Sequence, residues 1–234
     1  MQGRTLYGGA SALIALTAVQ RAYPDLPPLR AGQVAFVAPV GDEVALETEI
    51  VRQGRNVTQV RSTIHCEGKP ALMALWVFAA ARPANALRAA DPVPDWPGDP
   101  LDCAPMATRG APSFIEGNFE LRHGQAQGRD HGATIRRWAR LAGAHSLDPA
   151  SLLVLMGDVM PPGALRIAER PGPLSSVNWS FNLLDPVAPS PGGWYLAENA
   201  SQHADAGYSS ERLRLWDRAG RQVLDGLQCV AVFG

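Results

Sequence analysis

The offset that carries Gly68 onto Gly220, two glycines in equivalent hairpin turns, also lays Ala71–Phe78 on Val223–Val230. Both runs are long and apolar, and each closes one half of the chain. A sequence that states one plan twice has to bury two similar sets of apolar faces, which limits it to a duplicated architecture. Between the halves, residues 83–113 are rich in proline, with Asp, Gly and Ala between them and no hydrophobic period. Such a stretch cannot build a core and reads as an extended linker. The expected organisation is a first repeat over residues 1–82, the linker over 83–113 and a second repeat over 114–234.

The elements recur in both halves. Gly8-Gly9 opens an apolar helix over Ala10–Ala22 that ends near Pro24. Gln33–Pro39 reads as a short strand. Residues 42–52 alternate, with Val44, Leu46, Thr48 and Ile50 on one side and Glu47 and Glu49 on the other. Val57–Cys66 alternates again, Glu67-Gly68-Lys69 is a hairpin turn, and Ala71–Ala80 is apolar on both faces, as a central strand is. In the second half, Phe114–Arg122 and Ala133–Leu141 read as strands. Asp148 is an N-cap with Pro149 behind it, opening a helix through Leu152–Met160 that Pro161-Pro162 stops. Strands follow at Ser176–Leu184, Trp194–His203, Ser209–Asp217 and Gln222–Phe233. A buried helix wrapped by a meander of long antiparallel strands, made twice, is an α+β fold in which each helix needs a sheet to cover its apolar circumference.

Composition narrows the function. Twenty-one basic against 22 acidic residues leave a net charge of −1, so no bulk field recruits nucleic acid or an anionic membrane. No apolar run approaches the ~20 residues of a membrane-spanning helix. The stretch Ala10–Val19, with Arg4 before it, superficially suggests a signal peptide. Thr17 and Ser11 interrupt it and no small-x-small site precedes Arg21, so it reads as a buried helix. Three scattered cysteines (Cys66, Cys103, Cys229) form no disulfide framework, which makes a reducing, cytoplasmic location the expectation. The five histidines are scattered and no metal-ligand spacing occurs, so neither a metal nor a cofactor is expected. No GxSxG elbow and no GxGxxG after a strand is present.

A few residues sit where apolar neighbours make them conspicuous. Asp158 lies at the end of the second helix among Leu152, Val154, Leu155 and Met156, where burial without a partner costs several kcal/mol. It is also on the wrong end of the helix dipole for an acid. It is either a helix-end carboxylate that reaches solvent or caps a neighbouring backbone, or a functional one. Gln228 shares a strand face with Leu224, Val230 and Val232, and its amide needs partners. A water and a carboxylate would serve, and so would a cross-strand group. Ser176 alternates with Asn178, Ser180 and Asn182, a polar face that is either wet or the wall of a site. Gly8-Gly9 permits close backbone approach, and amides at a helix N-terminus attract negative charge; a tight turn into a closely packed helix would explain the pair as well. The first helix carries these glycines and no acid from Tyr7 through Tyr23, whereas the second carries Asp158 and no glycine pair at its start. If the halves pack face to face, glycines and acid meet once, giving one complete site per chain.

The Gly-Gly pair, the run VRQGRNVTQVRSTIHCEGKP, LMGDVMPP in the second helix and LQCVAVF in the last strand together resemble the double-hotdog acyl-CoA thioesterases of the acyl-CoA thioesterase II type. The resemblance covers nearly the whole chain and implies two tandem hotdog repeats, a long antiparallel sheet wrapped around two buried helices. It implies an acyl-CoA substrate, and a homodimer or higher homo-oligomer. It also implies catalysis by a water held by Asp158, Ser176 and Gln228, with Ser175 as a register alternative. Gly8 and Gly9 would then contact substrate, and the N–H groups of Gly9 and Ala10 would form an oxyanion hole. Serine stands where close relatives have threonine, keeping the hydroxyl but losing the methyl that fixes its rotamer. Relatives also carry a strand and loop ahead of the first helix, so the N-terminus is expected to be abbreviated. A non-catalytic acyl-CoA or lipid-binding protein on this fold remains an alternative. So does an enoyl-CoA hydratase-like enzyme, although Met160 and Gly163 replace the Asn and His of the hydratase signature.

Overall fold

A computed structural model describes residues 6–90, 92–93, 95–126, 130–170, 172–185 and 189–233; Met1–Thr5, the start of the segment weighed as a signal peptide, lie outside it. Helix α1 (Gly8–Ala22) begins at the first glycine and buries Ala12, Ala15, Leu16 and Val19. The first repeat continues through β1 (Leu29–Phe36), β2 (Ala45–Gln53), β3 (Val57–Cys66) and β4 (Lys69–Ala79). The short strand β5 (Pro105–Met106) lies inside the proline-rich span, and β6 (Phe119–His123), β7 (Thr134–Leu141) and helix α2 (Pro149–Gly157) follow it. The chain ends with β8 (Leu174–Leu183), β9 (Tyr195–Asp205), β10 (Tyr208–Asp217) and β11 (Gln222–Val232).

The described strands form one sheet in the order β2-β3-β4-β1-β8-β11-β10-β9-β7-β6-β5. Outward from the centre, β1-β4-β3-β2 is mirrored by β8-β11-β10-β9. The two repeats join where β1 and β8 pair antiparallel, with Gln33 opposite Ser180. Two hotdog repeats share one antiparallel sheet around two buried helices. At the Gly68 turn, Glu67 and Gly68 both take positive φ (51° and 74°), the backbone that a tight two-residue hairpin requires.

The helices run antiparallel across each other's ends. Gly9 of α1 lies against the Leu155 carbonyl of α2, while Gln20 at the other end of α1 donates to Asp148 (3.2 Å) ahead of α2. Helix α2 is buried from Ala150 through Gly157 and stops there, three residues before the expected Met160. A Cβ on Gly157 would stand 2.7 Å from the Trp179 indole, and Asp158 leaves the helix at φ −118°, ψ 22°. Strand β6 likewise starts at Phe119 instead of Phe114, because residues 114–118 turn.

The proline-rich segment has no core of its own but lies along the second repeat. Val93 is buried, Trp96 sets its edge on Trp138 (5.2 Å between centroids) and Asp99 pairs with Arg218 at 2.7 Å. Among the described residues the three cysteines are free, and no helix is long and apolar enough to cross a membrane.

Candidate active site

The antiparallel crossing places the C-terminal end of α2 against the N-terminal end of α1. The first helical hydrogen bond of α1 is Ser11 N–H to the Tyr7 carbonyl (3.1 Å), so the amides of Gly8, Gly9 and Ala10 have no acceptor within the helix. Into this end comes Asp158. The Gly9 amide is a hydrogen-bond donor to its carboxylate, and Gln228 Nε2 donates to Oδ1 at 2.8 Å. Oδ2 fills the space in which a side chain on residue 8 would begin, with the Phe36 ring beside it. The acid that sits badly on its own helix dipole therefore sits well on its neighbour's.

As a whole residue Asp158 keeps a partly exposed edge, but its carboxyl group is enclosed by protein. That enclosure pushes its pKa up to about 6, against the Gln228 and Gly9 hydrogen bonds, which pull it down. Tyr7, unremarked in the sequence, completes the junction. Its hydroxyl donates to the Leu155 carbonyl at 3.0 Å, supplying a partner for one of the last carbonyls of α2, and its ring stacks on Phe114 at 4.4 Å. Burial, and next the charge of Asp158, push the Tyr7 phenol well above its usual pKa. The only sequence signal for Tyr7 was its place directly before the glycine pair, an N-cap position with no side-chain capping bond.

Simple alternation along β8 puts Ser176 on the same face as Asn178, Ser180 and Asn182. The structure separates them. Cys229 and Val230 of β11 face Asn178 and Ser176, leaving Val177 as a bulge. Beyond it Trp179, Phe181 and Leu183 point into the core while Asn178, Ser180 and Asn182 are exposed. The bulge returns Ser176 to the helix side, half-buried opposite Val230, one cross-strand position from Gln228, and leaves Ser175 exposed. Ser176 has no hydrogen bond to Asp158 or Gln228 among the described residues. Gln228 itself is 3% exposed.

The other end of the helix pair is closed differently. Asp148 accepts from Ser151 N–H (3.1 Å), the Ser151 hydroxyl and Gln20 Nε2. Burial raises the Asp148 pKa, but these bonds outweigh it and hold the group below the usual carboxylate range. Here the helix N-terminus is occupied by the chain's own acid. No group of His, Cys, Asp and Glu able to hold a metal occurs among the described residues. Arg61, exposed on β3, is engaged by Glu49 at 2.7 Å and Glu47 at 3.6 Å.

Comparison with known proteins bears on both fold and class. A hotdog-fold protein from Alicyclobacillus acidocaldarius superposes with a TM-score of 0.84 at 21% identity, covering 99% of this chain and 88% of its own. A protein assigned as a thioesterase II from Thermobifida fusca YX gives 0.85 at 21%, covering 100% and 89%. The acyl-CoA thioesterase II of Mycobacterium marinum gives 0.76 at 18%, covering 97% and 88%. These likenesses define a double-hotdog protein. Residues 1–79 match the acyl-CoA thioesterase N-terminal domain and residues 83–232 the acyl-CoA thioesterase C-terminal domain, so the chain belongs to the acyl-CoA thioesterase family and is an enzyme of that class. No curated protein sequence matches it.

Proposed function

We propose that this chain hydrolyses acyl-CoA thioesters with a water activated by Asp158 and oriented by Gln228 and Ser176. The observation that carries the reading is the enclosed carboxylate of Asp158 between the Gln228 amide and the amide end of α1. A base near pKa 6 is mostly ionised at neutral pH yet basic enough to accept a proton from water as it attacks. The hydroxide forms a bond to the thioester carbonyl carbon while Asp158 takes the proton. The C–S bond then breaks, and the proton returns to the departing sulfur, leaving a carboxylic acid and coenzyme A. Amides at the start of α1 stabilise the oxyanion between these steps, Ala10 N–H directly and Gly9 N–H as it exchanges Asp158 for the substrate oxygen. Ser176, on the inner face beside Gln228, supplies a hydroxyl that fixes the water from the second side. The family supports an acyl-CoA substrate, and the geometry at the end of α1 supports the roles given to these residues.

Release of free thiol from a panel of acyl-CoAs tests the reading. Turnover by the natural chain that falls at least about a thousandfold in Asp158→Asn, with acyl-CoA still bound, supports it. Binding without turnover in the natural chain would assign it as an acyl-CoA-binding protein instead.

A further inference from the structure

Strands β7 and β10 carry five arginines, and four of them are paired with carboxylates: Arg136 and Arg214 with Glu198, Arg140 with Glu120, and Arg212 with Asp225. The fifth, Arg137, has no acidic partner among the described residues. It is half-buried on β7 between Ile135 and Ala139, two residues of the main core, and therefore shares the inner face of the sheet with them. Its neighbour in charge is another cation. Arg166, at the end of the 3-10 turn Gly163–Arg166, is held in place by a bond from its Nε to the Gly132 carbonyl (3.0 Å). Burial, and next the facing Arg166, lower the Arg137 pKa. Directly across from Arg137 on β6 stands His123, by alternation on the same face as the buried Phe119 and Leu121. Two guanidiniums and an imidazole lie together with no acid to balance them among the described residues, beside two strands whose other four arginines are all paired with carboxylates. Bidentate guanidiniums suit phosphate and carboxylate oxygens.

We propose that Arg137, Arg166 and His123 form a binding site for a phosphate-type anion, and that the phosphates of coenzyme A fill it. The site's place in the sheet supports that source. From Gln228 the register runs through Glu211 and Ser201 to β7, and Arg137 lies about 20 Å away measured along the sheet at ordinary strand spacings. This is the scale on which a pantetheine arm separates the sulfur from the phosphates. The inference rests on the thioesterase reading for its source of phosphate, while the anion site itself does not depend on Asp158 being the base.

The test compares Arg137→Gln and Arg166→Gln with the natural chain, using acyl-CoA and the corresponding acyl-pantetheine thioester, which lacks phosphates. The expected result is a rise in KM for acyl-CoA of about ten- to a hundredfold with kcat unchanged, and unchanged kinetics for acyl-pantetheine. Free coenzyme A should raise the melting temperature of the natural chain and of Asp158→Asn, but much less that of either arginine variant. This binding arm separates failure of the anion site from failure of the catalytic reading. Equal loss on both substrates, or an unchanged coenzyme A effect on melting, overturns the proposal. A loss confined to thioesters bearing a carboxylate at the far end of the acyl chain would overturn the coenzyme A assignment, and place the anion on the acyl group.

Discussion

Asp158 Oδ2 occupies the point at which a side chain on Gly8 would begin. The absent Cβ is thus part of the site, since it lets a carboxylate reach the amide end of the opposing helix. In Gly8→Ala the carboxylate has to move. Thiol-release assays should show kcat reduced by about tenfold or more, and the variant should remain folded, because the displaced atoms belong to a side chain end and the Phe36 ring. Gly9→Ala should behave differently. Its Cβ would meet the Leu155 carbonyl at 2.6 Å, backbone that cannot rotate away, so thermal unfolding should report a loss of about 1–3 kcal/mol.

The rate should depend on pH through Asp158. With the base ionising near 6, kcat/KM rises with pH through that value and then levels off. A rate profile with no limb between about pH 5 and 7 would count against Asp158 as the base.

The same group sets a stability trend of opposite sign. A carboxyl raised from 3.8 to about 6 on folding contributes no penalty below pH 4 and an increasing one up to about pH 6, constant above. The penalty is at most about 3 kcal/mol. Asp158→Asn should therefore melt above the natural chain at pH 7 by roughly 5 °C, and the difference should shrink towards pH 4. An unvarying difference across that window would mean the carboxyl is not held in its enclosed setting.

Gln228 lowers the Asp158 pKa by donating to it at 2.8 Å. Gln228→Ala leaves burial unopposed on that side, so the pH limb should move above 6 while kcat falls by about ten- to a hundredfold. Movement of the limb to lower pH would contradict the hydrogen-bond geometry.

Glu211, directly across β10–β11 from Gln228 and fully buried, accepts from the Gly163 amide (2.8 Å), the Ala164 amide (3.1 Å) and the Ser209 hydroxyl (2.6 Å). It anchors the turn five residues beyond Asp158. Glu211→Gln brings an NH2 group against one of these donors, and denaturant unfolding should show a loss of about 1–3 kcal/mol.

The duplicated plan was legible because strand alternation and a turn glycine recur on either side of a single proline-rich middle. Asp158 and Gln228 stood out as polar groups among aliphatics, and they meet in the fold. Other features depend on partners that a linear pattern cannot supply. The close packing of Gly157, at the end of α2, on the Trp179 indole joins residues some twenty apart in sequence and in different elements. The inward turn of Ser176 depends on a bulge at Val177, which strict alternation has no means of anticipating. Tyr7 matters through the Leu155 carbonyl, and Arg137 through the acid it lacks. The contact of Trp96, in the proline-rich stretch, with Trp138 required the second repeat to be in place.

Asp148, tied down by Ser151 and Gln20 at the far crossing of the helices, supplies from within the polypeptide the anion which that helix end attracts. A visiting oxyanion finds the berth taken. With Asp158 as the base, two copies of the scaffold yield a single reaction chamber, and a tight transition-state mimic should saturate the protein at one equivalent per polypeptide; two equivalents would refute that count.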